Sequence, residues 1–420
     1  MKLSRRKSSA ALCLWGLVYG WISLMGGRPA AAAPPEIGPQ LSAGNLAEAE
    51  QMLEQHHQAD DDLAHFQLGA VQVVRAVERL AQDGARYGAL NRTMMLPFFR
   101  VGGFAQGAGE AEPVTYEDLR QMIERFRASI VKAERTLAAI NDDRLQWDLN
   151  LDEVRLDING DGQAGEQETL GTLFRMAANR GRQPPMPQDL TVGFDSADVY
   201  WLRGYCHVLA AMADMILAYD HQQLFDVTAH AFFAKPQTEF ASKLQSEPAG
   251  AGRDGAFWDD LPDLIAAIHL MDFKLREPDR LSAAQQHLLQ MVEMSRKSWE
   301  LIEKETDDHR EWIPGRNQQS VIERLAMNEE RIAAWGRFLN EAEQVLRGEK
   351  LVPFWRRGFE QGVNLGKVFT EPRDFDLVLW VQGTAALPYM EEGEKTSPET
   401  WREFQRVFRG EFIGFAAWIN

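Results

Sequence analysis

The apolar positions along the chain repeat mainly with the period of an α-helix. From Leu63 to Leu80 apolar side chains recur at three- and four-residue intervals, the spacing of a helix that buries one stripe. The same period predicts helices over residues 116–140, 282–304 and 321–348, the last ending at Gly348. The sequence therefore predicts an all-α fold: a multi-helix array of amphipathic helices with few or no strands.

Capping residues mark where several of these helices begin. Asp60 is the predicted N-cap of the helix that contains Leu63, and Thr115 with Asp118 has the spacing of a capping box. Ser397 precedes Pro398, a cap followed by proline at the first helical position. The apolar run 375–383 fits a short buried strand or a helix, and we favour the helix.

One predicted helix, residues 199–221, is apolar nearly all round and is therefore expected to be central and buried. Its polar residues Arg203, His207, Asp214 and His221 lie within about 40° of one another at 100° per residue. Buried charges need partners. We favour structural ion pairs with acids from other helices, and the alternative is a polar pocket along this helix.

A second alignment of metal-ligand residue types lies near the start of the chain. Glu54, His57, Asp61 and His65 share one face if a single helix spans them. A break near residues 58–60 would dissolve that face. We favour a solvated turn over a metal site.

The N-terminus has the pattern of a secretory signal peptide. Four basic residues within positions 2–7 precede an apolar stretch from Ala10 to Met25 and a run of small residues. This predicts a signal peptide over residues 1–32, a mature chain beginning near Ala33 and an exported, periplasmic or extracellular protein without stable membrane insertion. Retention of the apolar stretch as an anchor is the alternative.

The remaining chain divides at segments rich in proline, glycine and alanine. Residues 33–44 are predicted to be an N-terminal linker, 45–233 a helical domain and 234–256 a possible linker. Residues 257–420 form a helical C-terminal region, which either stands alone or packs as one domain with the first.

Composition narrows the classes of partner. The net charge of −17 becomes −22 without the five basic residues of positions 1–32. The negative electrostatic potential of such an acidic chain disfavours binding of nucleic acid and favours binding of cations. Of the two cysteines only Cys206 lies outside the signal, so no internal disulfide is expected. Stability must therefore come from a large core and from bound ions.

Residues 157–168 have the sequence DINGDGQAGEQE, which resembles an EF-hand calcium loop. Carboxylate, amide and backbone oxygens at alternate positions can surround Ca²⁺ when a glycine, here Gly162, allows a sharp turn. The resemblance implies Ca²⁺ as cofactor, held by the following five residues: Asp157, Asn159, Asp161, Gln163 and Glu168. A turn that owes its composition only to loop chemistry is the alternative.

The loop departs from paired EF-hands in two respects. Ala164 occupies the position that normally carries an aliphatic residue joining two loops, and no second complete loop is present in the sequence. An unpaired loop rich in glycine is costly to order, so affinity in the range of about 10⁻⁴–10⁻³ M is expected. A structural role is favoured over a switching role.

Recognisable catalytic signatures, including G-x-S-x-G and H-E-x-x-H, are missing from the sequence. The prediction is an exported calcium-binding helical protein, a non-enzymatic binding or envelope-associated module with a structural Ca²⁺. One alternative is an exported enzyme with its pocket along residues 199–221. The other is a helical protein-interaction scaffold. The sequence leaves open which protein or small molecule is the partner.

Overall fold

The computed structural model describes residues 34–56, 61–89, 110–142, 144–178, 189–243, 256–322, 326–407 and 419. The predicted signal peptide lies outside these residues. The first half contains these elements: α1 (Gly38–Ala43), α2 (Leu46–His56), α3 (Asp62–Arg86), α4 (Tyr116–Leu137), β1 (Gln146–Asn150), α5 (Leu170–Ala178), β2 (Thr191–Asp195), α6 (Ser196–Leu217), β3 (Tyr219–Asp220), α7 (Gln222–Thr228), the 3-10 helix Ala229–Ala231 and α8 (Glu239–Lys243).

The second half continues with these elements: α9 (Ala256–His269), β4 (Asp272–Leu275), α10 (Asp279–Ile302), α11 (Glu329–Arg347), β5 (Val352–Pro353), β6 (Gly362–Val363), α12 (Leu365–Thr370), β7 (Phe375–Asp376), α13 (Leu377–Gln382), the 3-10 helix Thr384–Tyr389, β8 (Met390–Glu391) and α14 (Pro398–Val407). Among the described residues, no helix combines the length and apolar character needed to cross a membrane.

The fold is mostly helical but not purely all-α. About 59% of the structure is helix and 11% is strand. The expected all-α class is therefore correct only in part, because the described residues contain three small antiparallel sheets, with the orders β1-β2, β3-β4-β7 and β5-β6-β8. Most of these strands have two residues, too few to establish a period of two in the sequence.

The helix boundaries agree best with the sequence where a cap defines them. The Thr115 and Asp118 side chains and backbone amides form the predicted capping box of α4, and Gly348 ends α11 with a positive φ of 75°. Ser397 Oγ accepts the Thr400 amide at the start of α14. The cap of α3 is Asp61 rather than Asp60: its Oδ1 accepts the Ala64 amide at 2.9 Å.

Some segments fold differently from the prediction. Part of the predicted N-terminal linker forms α1, because Ile37 and Leu41 are buried against α2 and α3. Part of the predicted linker 234–256 forms α8. The run 375–383 contains both alternatives, since Phe375–Asp376 pair with β4 and Leu377–Gln382 form α13.

Two long helices from different halves of the chain form the centre of the structure. α6 and α10 pack along each other over most of their length, and their contacts at His207 with His287 and at Asp214 with Arg280 show that they run antiparallel. α4 packs against both α6 and α3. The predicted buried helix is therefore confirmed, with boundaries at Ser196 and Leu217.

The largest hydrophobic core joins the two predicted regions. Leu190 and Val192 from the first half pack with Trp299, Trp312 and Trp335 from the second. A separate core lies under α1, α2 and α3, and it includes the buried side chains of Leu156 and Ile158 from the predicted calcium loop and its lead-in. This second core anchors one side of the loop.

Candidate calcium loop and buried charge network

The first residue of the predicted calcium loop organises the turn that follows it. Asp157 Oδ1 accepts the backbone amides of Gly160 and Asp161 at 2.9 and 3.1 Å, and its Oδ2 accepts the amide of Gly162 at 3.0 Å. Gly160 and Gly162 both have positive φ, 73° and 84°, which a glycine adopts without strain. The glycines therefore let the chain wrap around the Asp157 carboxylate.

The last residue of the loop closes it from the other side. Glu168 is 7% exposed. Its Oε1 accepts the amides of Ile158 and Asn159 at 3.2 and 3.3 Å, and its Oε2 accepts the amide of Gly165 at 2.8 Å. The backbone closes too, because the Leu156 amide donates to the Glu168 carbonyl at 2.8 Å. A single carboxylate thus bonds to both ends of the loop.

The middle positions lie on the exposed side of the same loop. Asn159 Oδ1 accepts the Asp161 amide, and Asn159 Nδ2 donates to Asp161 Oδ2 at 3.0 Å. Asp161 Oδ1 accepts the Gln163 amide at 2.8 Å. The side-chain oxygens of Asp157, Asn159, Asp161 and Glu168 therefore all accept hydrogen bonds from amides of the same loop, and Gln163 takes part through its backbone amide.

The segment before the loop is not the helix of a complete EF-hand. β1 pairs with β2, a turn at Leu151–Glu153 follows, and Arg155 forms a bridge with Thr169. The exit is helical, as predicted, from Leu170 to Ala178. The loop thus connects a strand to a helix.

α3 supports the loop through two polar side chains. Glu78 Oε1 accepts the Asp157 amide at 2.9 Å, and Gln82 Nε2 donates to the Asp157 carbonyl at 2.8 Å. Burial raises the pKa of Glu78, and the nearby Asp157 carboxylate adds to the rise. A cleft of about 520 Å³ lies beside this contact, lined by Gln82, Asp157, Asn159 and Gly162 among others. The loop is therefore tied to the helical core yet open to solvent.

The predicted polar stripe of α6 meets charged residues of α4 and α10. Arg203 Nη2 donates to Glu134 Oε1 at 2.9 Å. Asp214, which is fully buried, accepts Arg127 Nε at 2.6 Å and Arg280 Nη1 at 3.1 Å on the same oxygen. Burial alone would raise the pKa of Glu134, but the His207 imidazole and the Arg203 guanidinium lower it to about 2. These pairs agree with the structural interpretation that we favoured.

The same network continues at the start of α10. Arg280 also contacts Glu124 and Glu277, and Arg120 Nη2 donates to Glu277 Oε1 at 2.5 Å and to the Leu217 carbonyl at 3.0 Å. These bonds join the end of α6 to the start of α10. The network thus spans three helices and contains partners that the α6 sequence alone did not reveal.

His221 does not belong to the stripe. α6 ends at Leu217, so the angle calculated for a helix through position 221 does not apply. Its Nε2 instead lies 3.0 Å from the Ile216 carbonyl, and its ring contacts Phe273. Burial lowers the pKa of His221. Its placement shows that it packs at the start of α7, where β3 and β4 meet.

The alternative metal face near the N-terminus is not formed. α2 ends at His56, and α3 begins at Asp62, so no continuous helix carries the four residues. Glu54 pairs with Lys132, Asp61 caps α3, and His65 Nδ1 lies 2.7 Å from the Asp61 carbonyl. His57 lies outside the described residues. Asp61 is not helical and caps α3, so the face is interrupted there, whereas the predicted break near residues 58–60 lies outside the described residues.

A partly buried acidic cluster lies at the N-terminus of α6. Carboxylate oxygens of Asp195, Glu305 and Glu311 lie within 4.8 Å of one another. Asp195 also caps α6, accepting the amides of Ala197 and Asp198. In the sequence, the only signals of this cluster are the capping pattern at Asp195 and the acidic run near residues 303–311. Such a run is typical of a solvated loop.

Burial and mutual repulsion both disfavour ionisation of this cluster. Burial, followed by the charge of Asp195, raises the pKa of Glu305 to about 8. Burial is also the main reason that the pKa of Glu311 rises to about 7 and that the pKa values of Asp195 and Asp198 rise. The folded protein therefore holds protons here that the unfolded chain releases at the same pH.

The chain matches no family model, no curated protein and no solved structure. Function must therefore be inferred from the chemistry of these sites.

We expect the substitution Asp214→Asn to destabilise the protein by about 3–5 kcal/mol, because it leaves Arg127 and Arg280 without their buried countercharge. Glu403→Gln is the matched control, since it removes the same charge from an exposed pair with Arg337 and should cost less than about 1 kcal/mol. Urea unfolding curves compared at a common slope measure both losses. A loss below about 1 kcal/mol for Asp214→Asn would favour the polar-pocket interpretation instead.

The acidic cluster predicts that stability falls as the pH rises from 6.5 towards 8. A carboxyl group whose pKa is raised in the folded state, as in Glu305 from 4.5 to about 8, binds more protons there than in the unfolded chain. The free energy of unfolding therefore decreases across this window. His221 and His287, whose pKa values are lowered by burial, oppose this trend, and their contribution fades as the pH rises above their ordinary value of 6.5.

Thermal melting between these two pH values measures the slope. Glu305→Gln should remove much of it and should raise the midpoint at the upper pH. Glu300→Gln, an exposed change of the same charge on α10, should leave the slope unaltered. Equal slopes for the wild-type protein and Glu305→Gln would show that the cluster is ionised in the folded state.

Proposed function

We propose that the chain is an exported calcium-binding protein, a non-enzymatic binding or envelope-associated module in which Ca²⁺ has a structural role. The observation that carries the proposal is the position of Asp157 and Glu168, the first and twelfth residues of the EF-hand pattern. Both carboxylates are turned into the loop and held there by backbone amides. The two carboxylates are thereby held at the two ends of one short loop, where a cation could replace the amides as their partner.

The charge of the loop favours a cation over any other ligand. Asp157, Asp161 and Glu168 place three carboxylates in one turn, and α3 adds Glu78 beside Asp157. Carboxylate and amide oxygens on a flexible loop suit Ca²⁺, which accepts six to eight ligands at varied angles, better than Mg²⁺. Calcium would also relieve the repulsion among these acids.

A structural role is supported by what the loop connects. Asp157 is bonded to α3, the Arg155 amide donates to the Leu41 carbonyl of α1, and α5 begins directly after Glu168. An ordered conformation of the loop therefore supports the packing of three helices. A bound Ca²⁺ would stabilise the interface between the N-terminal helices and the central core.

The pairing of the α6 stripe supports a binding module over an enzyme. Arg203 and Asp214 already have oppositely charged partners on α4 and α10. Groups paired in this way support the fold and have less freedom to bind a substrate. The enzyme alternative would need a pocket built from other residues.

We expect Ca²⁺ to raise the melting temperature and Mg²⁺ to raise it much less. At ten to a hundred times its Kd, Ca²⁺ should stabilise the folded chain by about 1.4–2.7 kcal/mol. Glu168→Gln should remove most of this increment, because it deletes charge from the bidentate ligand. Asp161→Asn, on the exposed side of the loop, should reduce it.

Glu166→Gln provides the matched control. Glu166 is exposed in the same loop but stands at position 10, which is not a ligand position. The quantity compared is the difference between melting temperatures in millimolar CaCl₂ and in chelator, so that effects of each substitution on the calcium-free protein cancel. The calcium proposal fails if that difference is zero for the wild-type chain, or if Glu166→Gln reduces it as much as Glu168→Gln.

Export is tested separately at the N-terminus. N-terminal sequencing of the chain recovered from the cell envelope or medium should give a first residue near Ala33, because the small residues before it suit signal cleavage. A first residue of Met1 in the membrane fraction would instead identify residues 10–25 as an anchor.

A further inference from the structure

Two buried histidines face each other between the central helices. His207 on α6 and His287 on α10 have their Nδ1 atoms 3.0 Å apart, and their ring centroids are 5.3 Å apart with the rings tilted by 39°. The nitrogens, rather than the ring faces, form the closest contact. The two helices thus bring two basic atoms of the same type together.

The outer nitrogen of each ring faces a carboxylate. His207 Nε2 lies 3.5 Å from Glu134 Oε1, and His287 Nε2 lies 3.9 Å from Asp214 Oδ2. His207 Nε2 and Asp214 Oδ2 are both buried, and neither makes a well-formed hydrogen bond. Each imidazole therefore faces a carboxylate through its Nε2 atom and the other imidazole through its Nδ1 atom.

The contact between the two Nδ1 atoms restricts how protons can be arranged. Two lone pairs cannot approach to 3.0 Å without something between them, so one Nδ1 must carry a proton that the other accepts. When both rings are neutral, the ring that donates from Nδ1 has no proton on its Nε2. That Nε2 and the neighbouring carboxylate are then two acceptors that face each other. A cation between the Nδ1 atoms lets both Nε2 atoms carry protons towards their acids.

We infer that His207 and His287 form a binding site for a divalent transition-metal ion such as Zn²⁺, coordinated by the two Nδ1 atoms in place of the shared proton. Zn–N bonds of 2.0–2.1 Å and a nitrogen separation of 3.0 Å give an N–Zn–N angle of about 94°. A tetrahedral angle needs a separation of about 3.3–3.4 Å. A rotation of the two rings that opens the gap by a few tenths of an ångström would reach it.

The acids behind the rings would act as positioning residues for this site. A histidine that binds a metal usually donates its other N–H to a carboxylate, which sets the ring orientation and raises the basicity of the ligating nitrogen. Glu134 is held by Arg203, and Asp214 is held by Arg127 and Arg280.

The site differs in chemistry and position from the calcium loop. Imidazole nitrogen is a good ligand for Zn²⁺, Ni²⁺ and Cu²⁺ but not for Ca²⁺, which prefers oxygen. The His287 side chain is 20% exposed, whereas that of His207 is 9% exposed. The remaining ligands would be water molecules, which would enter from the more exposed His287 side.

The test is calorimetric titration of ZnCl₂ into the full chain in the presence of excess CaCl₂, so that the calcium loop is not titrated. The wild-type protein should bind one Zn²⁺ through this pair, and His207→Gln and His287→Gln should each weaken binding by at least about tenfold. His309→Gln is the matched control, since His309 is an exposed histidine paired with Asp148. It should bind Zn²⁺ as the wild-type chain does.

Two further measurements keep the outcome independent of folding. Melting curves show whether each variant is folded, and His287→Gln is the safer change because His287 is the more exposed of the pair. In the unaltered protein, NMR of the imidazole nitrogens should show Zn²⁺ shifting the Nδ1 signals of two histidines at once. Glu134→Gln should weaken the affinity by about 10–100-fold while leaving one site.

Three results would overturn the inference. The first is a wild-type chain that binds no Zn²⁺, and the second is a folded His287→Gln variant with the wild-type Kd. The third is an NMR titration in which Zn²⁺ shifts the Nε2 rather than the Nδ1 signals. None of these results would bear on the calcium loop, whose residues are not among those altered.

Discussion

The structure depends on one requirement: charges buried between α4, α6 and α10 must be neutralised by partners from another helix. Asp214 has no solvent exposure, and it accepts hydrogen bonds from Arg127 on α4 and Arg280 on α10. An unpaired carboxylate at that position would lose its hydration without compensation. Each of the three helices therefore needs the other two in register, and the halves of the chain are joined through this contact.

The acidic cluster at the other end of α6 meets the same requirement differently. Asp195, Glu305 and Glu311 lie close together, and the described residues around them supply Gln318 and backbone amides as hydrogen-bond donors. Burial and the charge of Asp195 raise the pKa of Glu305 to about 8, so a proton takes the place of a cation there, whereas His207 and Arg203 outweigh burial and lower the pKa of Glu134 to about 2. The same residue type is therefore charged beside the middle of α6, at Glu134, and protonated at the N-terminus of α6, at Glu305.

The calcium loop and the histidine pair illustrate two ways of preparing a site. In the loop, glycines with positive φ and backbone amides hold the carboxylates of Asp157 and Glu168 within one short segment. At His207 and His287, two helices distant in sequence bring the nitrogens together. The first arrangement suits a hard cation with several oxygen ligands, and the second suits an ion that prefers nitrogen.

The sequence by itself determined the features that depend on local interactions. Helix periodicity located α3, α4, α6, α10 and α11. Side-chain caps at Thr115 and Ser397 defined two helix starts. The turn of residues 157–168 could be expected because its hydrogen bonds form within the segment. Only the tertiary structure decided the two-residue strands, the end of α6 before His221 and the partners of Asp214. It also placed Glu305 beside Asp195 and His287 against His207. These depend on contacts between distant segments, where the free energy comes from burial and charge pairing that no local pattern of residues encodes.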